Sequence, residues 1–199
     1  MKALFYLISL IPKSLVVIII DTYIYIKIYK LLNSYKVTKV NLKIAYPDLN
    51  IDNIEKLAKL SIRESLISAY ETFYTWGRSH IGTCSKIFKV KNNFLLKNKF
   101  HEGSGLILVS IHNRSVDMLL KWINSQITTV SLYKRIKNKS LDKFVKINRE
   151  HDGALCYETS MLGVRNLLKA LKKNKAVCFA ADQVPKRGMG EYINFYGRD

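Results

Sequence analysis

The sequence predicts an α/β domain with a mainly parallel central sheet flanked by helices, preceded by an N-terminal membrane-anchor helix. Three observations lead there. Short apolar runs recur at 106–111 (LILVSI, rich in β-branched residues), 127–132 (ITTVSL) and 176–181 (AVCFAA), the length of buried strands. Helical periodicity fills the intervals between them, and alternating strand and helix is the pattern of a parallel sheet. The first 26 residues carry only Lys2, Lys13 and Asp21 as charges.

That N-terminal stretch is too long for a signal-peptide core and lacks a small-residue cleavage site, so it is expected to stay on the chain. Lys13 and Asp21 interrupt it, so both a spanning and an interfacial helix are compatible with it, and Pro12 is a break point. Lys27, Lys30, Lys36, Lys39 and Lys43 follow. A basic flank beside an apolar helix marks the cytoplasmic side of a membrane. Residues 1–32 are therefore read as the anchor and 33–199 as the main domain. At 46–50 (YPDLN) the chain turns. Asp52 with Glu55 resembles a capping box, and Ile54, Ala58, Ile62, Leu66, Ala69 and Phe73 form one face of a helix reaching about Trp76.

Residues 86–99 hold five lysines and no acid, with Phe88, Val90, Phe94 and Leu95 between them. This segment suits a strand and turn near lipid headgroups, or a solvated basic loop. The run at 106–111 follows a Gly103-Ser-Gly105 turn and stops at His112, and an apolar-rich helix follows from Val116. A histidine thus ends a strand, and Asp117 lies in the first turn of the next helix. A neutral imidazole is the natural base near pH 7. A carboxylate on its other nitrogen would fix the tautomer and stabilise the imidazolium. Between Lys134 and Arg149 there are seven basic residues and one acid, just past the second strand, and open α/β sheets bind ligands at strand carboxyl ends. A helix at 161–173 leads to the third strand. Asp182-Gln183 and a glycine-containing loop come after it, and 192–197 (YINFYG) reads as the start of another strand.

The composition narrows the function classes. A net charge of +18 calls for an anionic membrane surface or a polyanion. Lysine outnumbers arginine 25 to 8, a skew that base composition alone can produce. The basic residues are spread along the chain and no nucleic-acid motif is present, so nucleic acid is not expected as a partner. Cys84, Cys156 and Cys178 are far apart, which argues against a disulfide framework or a zinc site. Neither Gly103-x-Gly105 nor Gly188-x-Gly190 opens a helix after a strand, so no dinucleotide or P-loop site is indicated. His80 and His101 have no partner at ligand spacing.

Taken in order, these segments resemble the bacterial late lipid A acyltransferases, which add lauroyl or myristoyl chains during lipopolysaccharide assembly. The resemblance rests on the anchor and basic stretch, on Tyr46-Pro47-Asp48-Leu49, and on GLILVSIHNRSVD as a strand with a His-x4-acid motif. It also rests on Tyr133-Lys134 followed by Asn138 and Leu141, on Arg149, and on Asp182-Gln183 with Phe195-x-Gly197. Many members have Glu at the acid position; Asp117 is closer to the wider glycerolipid acyltransferases. Members continue beyond the Phe-x-Gly block, so the acyltransferase domain is expected to be incomplete at its C-terminus, without some strands and part of the acyl pocket.

The resemblance implies a glycerolipid-acyltransferase-like fold and transfer of an acyl chain from a thioester, with acyl-carrier protein as donor, to a hydroxyl of a lipid A precursor. It implies membrane lipids as surroundings and the cytoplasmic face of the bacterial inner membrane as the location. His112 would be the base and Asp117 its orienter. Arg149, Asp182 and Gln183 would serve the oxyanion or substrate, and Arg114, Lys134 and Arg135 the acceptor's phosphates. No metal or cofactor is required. The alternatives are a glycerolipid or aminolipid O-acyltransferase, a truncated inactive copy, and a non-catalytic basic protein of the membrane surface.

Overall fold

A computed structural model describes residues 2–151, 153–182 and 193–197. Among the described residues six α-helices come first: α1 (Lys2–Leu10), α2 (Lys13–Tyr25), α3 (Asn33–Ala45), α4 (Ile51–Gly77), α5 (His80–Cys84) and α6 (Asn93–His101), with a 3-10 turn at Ile28–Leu31 between α2 and α3. Then strands and helices alternate: β1 (Leu106–Ser110), α7 (Val116–Gln126), β2 (Thr129–Tyr133), α8 (Lys139–Arg149), β3 (Leu155–Glu158), α9 (Met161–Leu171) and β4 (Ala176–Ala180). The chain divides into two compact units. One holds residues up to 10 together with 71–182; the other holds 11–70 together with the described residues beyond 182.

The first unit carries the sheet. Its four strands are all parallel, in the order β1-β4-β2-β3. Among the described residues β4 is the last strand in sequence, yet it inserts between β1 and β2, so its inner residues Ala176, Val177 and Cys178 are buried. β1 is an edge strand. Its alternate residues Ile107 and Val109 are 52% and 62% exposed, whereas Leu106 and Leu108 pack with Ile123, Ile127 and Ala176. On the opposite side α9 lays Leu167 and Ala170 over Val130 and Val177. Two glycines permit these approaches. A Cβ on Gly163 would lie 2.0 Å from the Glu158 carbonyl oxygen, and Gly105, at φ +76°, would meet the Leu171 carbonyl at 2.9 Å. Phe5, Phe73, Trp76 and Phe144 form an aromatic cluster that joins α1, the last turns of α4 and α8.

The second unit packs Ile20 and Ile24 of α2 and Tyr35 of α3 against Ala58, Ile62 and Ile67 of α4. Asp21, the acid inside the apolar segment, is held bidentately by Arg63.

Several elements differ from expectation. The N-terminal apolar stretch is two helices broken at Pro12, which lacks the N–H to continue a helix. No single helix is long and apolar enough to cross a membrane, although α1 and α2 taken together meet that length and composition. The cap of α4 is Asn50, whose Oδ1 accepts from the Asn53 N–H at 2.9 Å. Glu55 turns instead to Lys30 and Lys39. Residues 86–99 form a turn and α6, not a strand. β3 adds a strand that was not anticipated. Of 192–197, Tyr192 lies outside the described residues, Phe195 forms a single β-bridge, and the Gly197 N–H donates to Asn194 Oδ1 in the turn that follows.

One buried cation supports this frame. Lys121 of α7 is 3% exposed, and its Nζ donates to the carbonyls of Thr75 (2.6 Å) and Arg78 (3.0 Å) at the end of α4. Burial pushes its amine down to about 8, against the pull of Asp117 and Cys84. A lysine depressed in the folded state binds fewer protons there than when unfolded, so its contribution to stability rises with pH between the two values. Relative to Lys121→Met, the parent is expected to gain up to roughly 3 kcal/mol as pH rises from below 8 to about 10.5. Urea unfolding of both proteins across that range checks this; parallel curves would contradict it.

Candidate active site at the carboxyl ends of β1 and β4

The register of β1 and β4 builds the site. Ser110 pairs with Ala180, and the Ala181 N–H donates to the Ser110 carbonyl at 2.9 Å. Two residues beyond that last pair, the strands release His112 and Asp182 side by side. His112 Nδ1 lies 2.7 Å from Asp182 Oδ1, and the His112 backbone N–H donates to Asp182 Oδ2 at 2.6 Å. The carboxylate thus grips the histidine at two points, which fixes the ring and requires the proton on Nδ1. Nε2 is then the free basic nitrogen. The His112 backbone N–H, and then its ring, hold the Asp182 carboxyl below the usual carboxylate range. The side chains are 46% and 32% exposed, so the dyad is open to a substrate.

Asp117 does not contact His112. It is the second residue of α7, which Ser115 caps by accepting the Met118 N–H. Both of its oxygens accept from Arg149, Oδ1 from Nε at 2.6 Å and Oδ2 from Nη2 at 3.3 Å. Asp117 is 7% exposed, so this is a buried pair tying the start of α7 to the end of α8. Burial alone would lower the Arg149 pKa, but the hydrogen bond and charge of Asp117 outweigh it and the net shift is upward. Asn124 braces the same corner. Its Oδ1 accepts from buried Thr129 at 2.7 Å, and its amide reaches the Arg149 carbonyl at 3.5 Å.

The carboxylate contact to His112 expected of Asp117 is therefore made by Asp182, and two of the Arg149 nitrogens expected to face an oxyanion donate to Asp117 instead. A five-residue offset across a tight loop carries Asp117 inward, under the sheet's rim. Which residue stood beside His112 depended on which strand stood beside β1, and β4 is the last strand in sequence among the described residues. The available signal was that 176–181, like 106–111, is an apolar run ending in a titratable side chain.

Lys134 and Arg135 are exposed just past β2, which neighbours β4, so they lie on the same rim. Arg135 approaches Glu158 only to 4.0 Å. Arg114 is bound bidentately by Glu71 at 3.0 and 3.3 Å and is less available to a phosphate. Gln183 lies outside the described residues. Asn138 caps α8, accepting from the Ser140 and Leu141 N–H groups, and Tyr133 O–H donates to Asp142. These two are structural. A cleft of about 270 Å³ lies between α9 and the Ile107 face of β1 and β4, lined by apolar side chains that include Ile107, Phe179, Leu168 and Leu171. Its apolar lining suits an alkyl chain, and His112 lies two residues past the end of β1. Among the described residues no cluster of His, Cys, Asp and Glu is arranged to hold a metal.

The family model described as bacterial lipid A biosynthesis acyltransferase matches residues 2–199. No curated protein matches the chain.

Proposed function

We propose that this chain, which belongs to the bacterial lipid A biosynthesis acyltransferases, moves a fatty acyl group from a thioester on acyl-carrier protein to a hydroxyl of a lipid A precursor, with His112 as base and Asp182 as its orienter. The acyltransferase activity follows from the family. The observation that carries the mechanism is the two-point contact of Asp182 with the ring and backbone of His112.

Nε2 accepts the proton of the acceptor hydroxyl as that oxygen attacks the thioester carbonyl. The Nδ1–H stays with Asp182, whose ionised carboxylate stabilises the imidazolium. The tetrahedral intermediate collapses, the carbon–sulfur bond breaks, and the imidazolium returns the proton to the departing thiolate. No covalent acyl-enzyme is needed. Cys156 and Cys178 are buried, and burial pushes the Cys178 thiol up to about 11, which makes them poor nucleophiles. With the Arg149 fork closed on Asp117, the oxyanion falls to backbone N–H groups near Asp182. The acyl chain occupies the cleft along β1, and Lys134 and Arg135 meet the acceptor's phosphates as point charge and fork.

Membrane attachment is assigned to the N-terminal helices: α1 exposes Leu4 and Leu7, and α2 exposes Leu15, Ile18 and Ile19. The cytoplasmic face of the inner membrane is where an acyl-carrier protein and a lipid A precursor meet.

Asp182→Asn tests the mechanism. An amide keeps the shape but loses the charge that supports the imidazolium, so kcat is expected to fall by about 10²–10⁴ with KM within a few-fold. Steady-state kinetics with acyl-carrier protein thioester and lipid A precursor measure this. A change confined to KM would remove Asp182 from the orienting role.

A further inference from the structure

The most exposed large apolar side chains among the described residues are neither in the cleft nor in the N-terminal helices. They are Phe88, 94% exposed, and Ile81, 84% exposed. Both lie on one stretch that holds α5, a turn and α6. In α5 only Thr83 is buried, and no residue of α6 is. Leu96 and Phe100 are the α6 residues that pack on the sheet's core. Phe94, 55% exposed, stands about 160° round the helix from Leu96 and points away from that core.

The charge of the stretch is one-sided. From residue 72 to 101 there is no acid, and Lys86, Lys89, Lys91, Lys97 and Lys99 are all exposed. Among the described residues only Lys99 of these has an acidic partner, Glu102 at 2.8 Å. Single exposed apolar residues are ordinary. Here a Phe and an Ile that are more than four-fifths exposed are interleaved with lysines that have no acidic partner among the described residues.

We infer that residues 81–97 form a second membrane-contact surface, in which Ile81, Phe88 and Phe94 insert at the headgroup boundary of an anionic phospholipid bilayer and Lys86, Lys89, Lys91 and Lys97 face its phosphates. Charge complementarity names the occupant. Each lysine brought to an anionic surface strengthens partitioning roughly fivefold, and the apolar side chains add an insertion that an aqueous polyanion cannot reward. A protruding aromatic with no groove around it fits a fluid surface better than a shaped protein partner. This surface belongs to the unit that carries His112 and does not depend on the catalytic reading.

The test reads position 88 locally, so other anchoring segments do not mask it. The full-length Phe88→Trp variant is mixed with phosphatidylglycerol-containing vesicles whose acyl chains are brominated near the headgroup end. The parent, with Trp76 and Trp122, serves as the background. The emission added by the variant is expected to shift to the blue and to be quenched severalfold more than the parent's. Combining Lys86→Gln, Lys89→Gln and Lys91→Gln, or using phosphatidylcholine vesicles, is expected to remove most of that quenching. Emission from position 88 that stays red and unquenched in vesicle-bound protein would overturn the inference. So would a blue shift produced by acyl-carrier protein in the absence of lipid, which would make this a protein-docking surface. Acyl transfer is assayed separately, so loss of catalysis and loss of this contact are told apart.

Discussion

His112→Ala is expected to lower kcat for acyl transfer by about 10²–10⁴-fold and to leave the fold intact. Three features set the size. Nε2 is the ring nitrogen that the Asp182 contact leaves unused, and Asn113, Arg114 and Ser115, which complete that loop, have no side chain that is a base near neutral pH. The ring is nearly half exposed, so its removal opens no cavity in a core, and the melting temperature is expected to move little. The backbone N–H of residue 112 still donates to Asp182, so the loop keeps one of its two ties. His112→Gln keeps a polar side chain in the same place without a usable base, and is expected to be as slow as alanine. Raising the concentration of an added small imidazole is expected to restore part of the rate in the alanine variant but not in Asp182→Asn, where the base is present but unsupported. Turnover of His112→Ala within a few-fold of the parent would take general-base catalysis away from this residue.

The legibility of the fold followed from how strongly each segment's burial marks its sequence. β2 and β4 are apolar because neighbours cover them, β1 is covered on its Leu106 and Leu108 face alone, and each of the three was located within two residues. β3 is four residues long at the sheet's other edge, with Leu155 41% exposed, and so short a segment has no periodicity to read. α6 buries no residue, which removes the apolar stripe that would have marked it as a helix. The break at Pro12 was visible because it rests on backbone chemistry, not on burial.

The site was legible in its members but not in its pairings. His112, Asp117, Arg149 and Asp182 are each marked by position at an element's end. Pairing them needs the strand order, and the insertion of β4 between β1 and β2 is decided by packing over the whole sheet. The nearest acid in sequence is therefore not the nearest in space. Arg149 and Asp117 are 32 residues apart, and only the contact of α7 with α8 joins them.

That second pair sets the largest stability effect. Arg149→Met leaves the Asp117 carboxylate buried without its bidentate partner, and removing one member of a buried ion pair costs about 3–5 kcal/mol. Lys121, one turn along α7, is a second cation near Asp117. Its donors are committed to Thr75 and Arg78, so it offsets part of the loss, and the lower half of that range is expected. For a chain of this size the melting temperature would fall by roughly 6–16 °C. Arg149→Met combined with Asp117→Leu removes both charges and is expected to recover most of the loss, since an apolar pair of similar volume is often as stable as a buried salt bridge. The same variants separate a positioning role from direct contact with substrate. If Arg149 acts by holding α7 to α8, the double variant regains activity together with stability. If its guanidinium instead touches the oxyanion, the double variant is folded and slow. A drop in unfolding free energy below 1 kcal/mol for Arg149→Met would show that the pair does not bear on the corner where the loop carrying His112 enters α7.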